Sequence, residues 1–103
     1  MTPVVIVLTT VPPEFGVAAM ASALVAGGHA ACVSVLPVME STYRWQGAIE
    51  TAAERQVIIK TTEDRVDALK AALAALHPYE VPELLVLPVT GGGEAYLQWI
   101  GGS

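Results

Sequence analysis

The chain opens on a continuous β-branched apolar run, "VVIVLTTV" from Val4 to Val11, the pattern of a strand covered on both faces. Pro12 and Pro13 end it. Pro13 suits a first helical turn, because its missing N–H has no intrahelical partner there, and Glu14 adds negative charge beside a helix's positive end. Ala- and Leu-rich sequence then runs to Gly27-Gly28, a helix stop, so the first unit is a strand followed by a helix.

Two apolar stretches follow, Ala30 to Val38 and Gln56 to Thr61, joined through Tyr43-Arg44-Trp45 and the turn-like Gln46-Gly47. With Gln46 and Gly47 alone in the loop, Trp45 faces Ala48, Tyr43 faces Glu50, and Val33 falls opposite Lys60. Pro37 cannot donate to a ladder, so a bulge is expected there, with a register slip of a residue or two. Arms of this length would reach about 43 Å, whereas a compact domain of this size has a radius of gyration of about 13 Å. The hairpin end near Tyr43 to Ala48 should therefore overhang its own domain, and its Tyr and Trp favour burial against a neighbouring subunit.

Thr61 or Thr62 can cap the next helix, in which Val66, Leu69, Leu73 and Leu76 recur at the spacing of a buried stripe. That helix should end at His77, because Pro78 disfavours helical geometry in the residue before it. "ELLVLPV" reads as the fourth strand. Gly91-Gly92-Gly93 breaks it, and "EAYLQWI" reads as a terminal helix with Tyr96, Trp99 and Ile100 on its apolar side. The predicted fold is α+β, a ferredoxin-like β-α-β-β-α-β order plus a final helix.

At 103 residues, the whole chain, residues 1–103, is expected to form one domain. It is 53% hydrophobic and only 15% charged, so apolar surface is left over and self-association is the usual way to cover it. Ten acidic and five basic side chains give a net charge of −5, and the scattered cations cannot neutralise a phosphate backbone, which argues against nucleic acid as a partner. The first strand is far shorter than a membrane span, and no basic segment with a separate apolar stretch precedes it. A membrane is not an expected partner, and the cytoplasm is the expected compartment, which the single Cys32 fits.

Several local strings resemble the CutA divalent-cation tolerance family. They are "AACV" at Ala30 to Val33, "STYRWQGAIE" at Ser41 to Glu50, "IKTT" at Ile59 to Thr62, "HPYEVPELLVLPV" at His77 to Val89, and "AYLQWI" at Ala95 to Ile100. They cover nearly the whole chain in order. The resemblance implies a tight homotrimer with strands paired across subunits, similar in outline to PII signalling proteins. It also implies binding of Cu(II) or another divalent cation, with no catalytic reaction. The metal pattern of some relatives has a cysteine on the first strand and paired histidines before Pro-Tyr; the corresponding places here are Thr9, Leu76 and His77.

Candidate chemistry concentrates in "HPYEVPE". His77 could offer an imidazole to a metal ion, with Glu80 and Glu83 as nearby carboxylates; beside Pro78 it could equally cap the helix by bonding the last carbonyls. Cys32 is a soft ligand in principle, but in an apolar strand a cysteine behaves as a small hydrophobe. His29, after two glycines, reads as a solvated loop residue. Cys32, Tyr43, Trp45, Lys60, Tyr79 and Glu83 stand at element ends where a trimer would place intersubunit clefts; the aromatics suit interface anchors, and Lys60 suits pairing with a carboxylate. The serines lack a His-Asp arrangement, and Gly91-Gly92-Gly93 is followed by Glu94 rather than the Lys-Ser/Thr of a phosphate loop. No catalytic residues and no organic cofactor are therefore predicted. The expected function is a trimeric, weakly metal-binding tolerance protein. The alternative is a PII-like signalling or scaffold trimer that binds a small molecule or partner protein in its clefts.

Overall fold

The structure, a computed structural model, describes residues 2–103. Its elements follow the order β1 (Val4–Val11), α1 (Val17–Ala26), β2 (Cys32–Trp45), β3 (Ala48–Thr62), α2 (Val66–Leu76), β4 (Leu85–Pro88) and α3 (Glu94–Gly102), with a 3-10 turn at Glu63–Arg65 leading into α2. The four strands form one antiparallel sheet in the order β2-β3-β1-β4.

Alternation along β1 divides the sheet into two faces. Val5, Val7 and Val11, with Val57 and Ile59 of β3, pack under α1 and α2, where they meet Met20, Leu24, Leu69 and Leu73. Burial of a leucine such as Leu24 or Leu73 contributes about 1.5–3 kcal/mol. The opposite face is covered only at one end, by α3 through the buried Ile100. Ile6, Leu8 and Ile58 are half-buried there, and Leu85 and Leu87 are 54% and 40% exposed.

The hairpin keeps the expected turn. Gln46 and Gly47 both have positive φ, 49° and 81°, which matches the right-handed twist of the flanking strands. Trp45 pairs with Ala48 and Tyr43 with Glu50. Between Val35 and Val38 the register shifts by one residue around Pro37, so Lys60 faces Cys32 instead of Val33. The hairpin stretches the molecule to 44 × 26 × 24 Å with a radius of gyration of 14.4 Å.

Four expectations change. α1 starts at Val17, not at Pro13, because Pro12 to Phe15 closes a turn, with the Phe15 N–H on the Pro12 carbonyl at 3.1 Å, that uses Pro13 at its second position. Thr62 bonds the Asp64 carboxylate without capping α2, and Leu76 is exposed, which leaves Leu69 and Leu73 as the fully buried part of the stripe. β4 is limited to Leu85–Pro88; Glu83 is drawn instead into side-chain contact with β3.

Candidate functional site

The α2 helix stops at His77, whose backbone is extended (φ −76°, ψ 136°) before Pro78. Its imidazole turns back to the end of β1: Nε2 lies 2.7 Å from the Thr10 carbonyl, and Nδ1 accepts the Tyr79 N–H at 3.0 Å. A carbonyl can only accept, so Nε2 carries the hydrogen and the ring is the neutral tautomer with both nitrogens engaged. His77 therefore locks the chain leaving α2 onto β1: its backbone N–H closes the helix on the Leu73 carbonyl at 2.8 Å, while its imidazole bonds none of the helix carbonyls. It offers a lone pair to a metal ion only by giving up the Tyr79 amide.

This lock carries Tyr79 to the surface of β3, where its hydroxyl donates to Glu54 Oε2 at 3.1 Å. Burial first, and the Glu54 carboxylate second, push the phenol's pKa up to about 12. Four residues on, Glu83 accepts from Gln56 Nε2 at 2.9 Å, and the same nitrogen reaches the Thr9 carbonyl at 2.7 Å. The irregular segment 77–84 is thus held along the sheet by side chains of β3.

Between this segment and the hairpin lies a groove of about 680 Å³. Tyr43, Trp45, Tyr79 and Val81 form its aromatic and apolar surface, and Glu50, Glu54, Glu80 and Glu83 its charged surface; among the described residues no Lys or Arg lines it. Tyr43, Trp45, Tyr79 and Glu83 of the predicted cleft set meet here, as does Glu80. Cys32 and Lys60 do not. They face each other four residues further along β3 than Gln56, about 13 Å away. There the Lys60 ammonium donates to the Tyr96 hydroxyl at 3.1 Å, with the ring centre at 5.5 Å, so its partner is a phenol and not the expected carboxylate. That hydrogen bond raises the Lys60 pKa above the ordinary lysine value. Cys32 Sγ lies 3.8 Å from Ser34 Oγ.

Glu50, Glu54 and Gln56 are groove residues the sequence-based set omitted. The signal was present: with Tyr43 opposite Glu50, period-2 alternation puts Ala52, Glu54 and Gln56 on that same face. As for a metal ion, among the described residues no three His, Cys, Asp or Glu side chains converge closely enough to hold one. Of the places that correspond to the relatives' metal pattern, Thr9 is buried with its hydroxyl unpartnered and Leu76 is exposed. The described residues therefore do not suit a closed copper or zinc centre within one chain.

A family model described as "CutA1 divalent ion tolerance protein" matches residues 5–103. The divalent-cation tolerance protein CutA of Thermus thermophilus is 43% identical over 92% of this chain and 92% of its own. Its solved structure superposes with a TM-score of 0.92 at 41% identity, covering 96% of each chain. The rice protein CutA 1, chloroplastic, is 41% identical over 95% of this chain. The chain spans 55% of the length of that relative and 54% of its Arabidopsis thaliana counterpart, also named chloroplastic.

These names correct the expected cytoplasmic placement. Besides the chloroplastic plant relatives, a structure from Archaeoglobus fulgidus, 28% identical with a TM-score of 0.87 over 94% of each chain, is described as a periplasmic divalent cation tolerance protein. Relatives with this fold thus carry the names of several compartments, and a lone cysteine does not assign one.

Proposed function

The chain belongs to the CutA1 divalent ion tolerance family, and on that premise we propose that it acts as a non-catalytic homotrimer whose acidic grooves associate weakly with divalent cations, copper(II) among them. The observation that carries this is the groove's charge: four glutamates and, among the described residues, no cationic side chain in its lining. Such a surface raises the local cation concentration, the more so where the walls exclude water. Glu54, Glu80 and Glu83 are the proposed oxygen donors. His77 serves the site by holding Tyr79 and the segment behind it in place.

Assembly is supported by what a single chain leaves bare. Trp45 is 48% and Tyr43 40% exposed on the overhanging hairpin, and Leu85 and Leu87 lie on the open sheet face. A chain this apolar is better matched to water as an oligomer. Sedimentation velocity should give one trimeric species at micromolar concentration; a folded monomer would reject the assembly. Calorimetric titration with Cu(II) should show weak binding that Glu54→Gln diminishes, and full affinity in that variant would remove the groove as the site.

A further inference from the structure

The Tyr79 amide is held by a side chain two residues before it, since Nδ1 of His77 accepts its hydrogen at 3.0 Å. That is the bond an asparagine or aspartate oxygen makes to the backbone two residues on in an Asx turn. Pro78 has no N–H, so the Tyr79 amide is the first donor after His77. Histidine differs from asparagine here in one respect: its acceptor takes up a proton near neutral pH. The other ring nitrogen, at 2.7 Å from the Thr10 carbonyl, already carries a hydrogen and keeps that bond in either state. Protonation therefore falls on Nδ1. An imidazolium has an N–H at both positions and no lone pair for the Tyr79 amide, so the Thr10 bond survives and the Tyr79 bond does not.

The ionisable neighbours are mainly carboxylates. The Tyr79 ring lies 5.0 Å from the imidazole; Glu54 of β3 accepts its hydroxyl, and the charge of Glu14, in the turn after β1, and the phenol of Tyr43 on β2 also act on it. Glu83 sits on Gln56 beside the Thr9 carbonyl, and Glu80 belongs to the same segment. α1 carries no ionisable side chain, and on α2 the nearest to His77 is Lys70, about 10 Å along the helix. Such surroundings accommodate an imidazolium once it forms; what it displaces is the amide. We propose that His77 is a pH-sensitive latch: a proton taken from water at Nδ1 displaces the Tyr79 N–H and loosens residues 78–83, one wall of the groove, from the end of β1. The latched form binds one proton fewer than the released form, so acid favours release and alkali favours the latch. The latch goes beyond the groove's cation role and does not depend on it, because both partners of the ring are backbone groups of the fold.

The test is nitrogen-15 NMR of the assembled protein from about pH 7.5 to about pH 5.5, a window that brackets the ordinary histidine range. At the upper end the His77 ring should carry hydrogen on Nε2 alone, and the Tyr79 amide should exchange slowly with solvent. Across the window the protection of that amide, corrected for the intrinsic pH dependence of exchange, should fall roughly ten-fold in step with the ring's own titration. His77→Asn keeps an acceptor for the amide but has no proton to take up, so its protection should stay within about two-fold over the same range. Protonation of Glu54 as the source is separated by pH, because a free glutamate takes its proton at about 4.3, below the window. Hydrogen on Nδ1 at the upper end, equal protection of Tyr79 at both ends, or an equal fall in His77→Asn would each overturn the proposal. If His77→Asn disturbs assembly, the ring titration and the Tyr79 protection of the unaltered protein, read in one sample, decide the matter by themselves.

Discussion

Tyr79 donates its phenolic hydrogen to Glu54 at 3.1 Å, tying the segment that leaves α2 to the middle of β3, twenty-five positions away in the chain. The bond defines one wall of the groove. It also places a neutral phenol beside a carboxylate, an arrangement that lasts only while the phenol keeps its proton.

Because the folded state raises the Tyr79 pKa to about 12 from the ordinary 10, the fold favours the protonated phenol. Its contribution is complete below pH 10 and is lost as pH climbs toward 12. An ultraviolet titration of phenolate absorbance should show one tyrosine ionising late, and Tyr79→Phe should remove that step. An unchanged titration curve in the variant would assign the late phenol to another tyrosine.

Replacing His77 by Ala leaves both the Thr10 carbonyl and the Tyr79 N–H without their partner. The cost should be about 1–3 kcal/mol in a denaturant unfolding experiment. Cu(II) affinity should stay within about two-fold of the parent, because both nitrogens are already in use. A large loss of copper binding together with unchanged stability would instead make His77 a ligand.

Trp45→Ala should act on assembly more than on the subunit. The ring is half-exposed in the isolated chain, so its removal costs the monomer little, whereas an aromatic anchor buried at a contact is worth about 2–4 kcal/mol. Concentration-dependent sedimentation should show a weakened trimer. Unaltered association would leave the hairpin tip in water.

Gln46 sits at φ 49°, a left-handed conformation that costs most L-residues about 1–2 kcal/mol and that asparagine tolerates better. Gln46→Asn should raise stability by about 0.5 kcal/mol at the denaturation midpoint. A loss would mean that the Gln46 side chain makes a contact in the assembly.

Local chemistry determined much of this molecule. β1 occupies the stretch its apolar run predicts, Val4 to Val11, and the two-residue loop sets the pairs Trp45 with Ala48 and Tyr43 with Glu50. Pro37 produces its bulge because a missing N–H breaks a ladder whatever lies around it. Each depends on neighbours in sequence or on a pairing that one turn dictates. Even part of the groove was legible, since Glu54 follows Glu50 by alternation once that pair is known.

Only the tertiary structure decided the rest. The bulge's displacement had to be located before Lys60 could be placed opposite Cys32, and nothing near Lys60 in the chain announces Tyr96, thirty-six residues on, as its partner. The segment from His77 to Leu84 has neither helical nor strand periodicity, so its side-chain directions do not follow from residue spacing. They follow from where β1 and β3 present the Thr10 carbonyl, Gln56 and Glu54. What the imidazole of "HPYEVPE" bonds was therefore beyond the sequence: the Tyr79 N–H is two residues away in the chain, but the acceptor for the other nitrogen, the Thr10 carbonyl, is sixty-seven residues away and is brought there by the folded sheet.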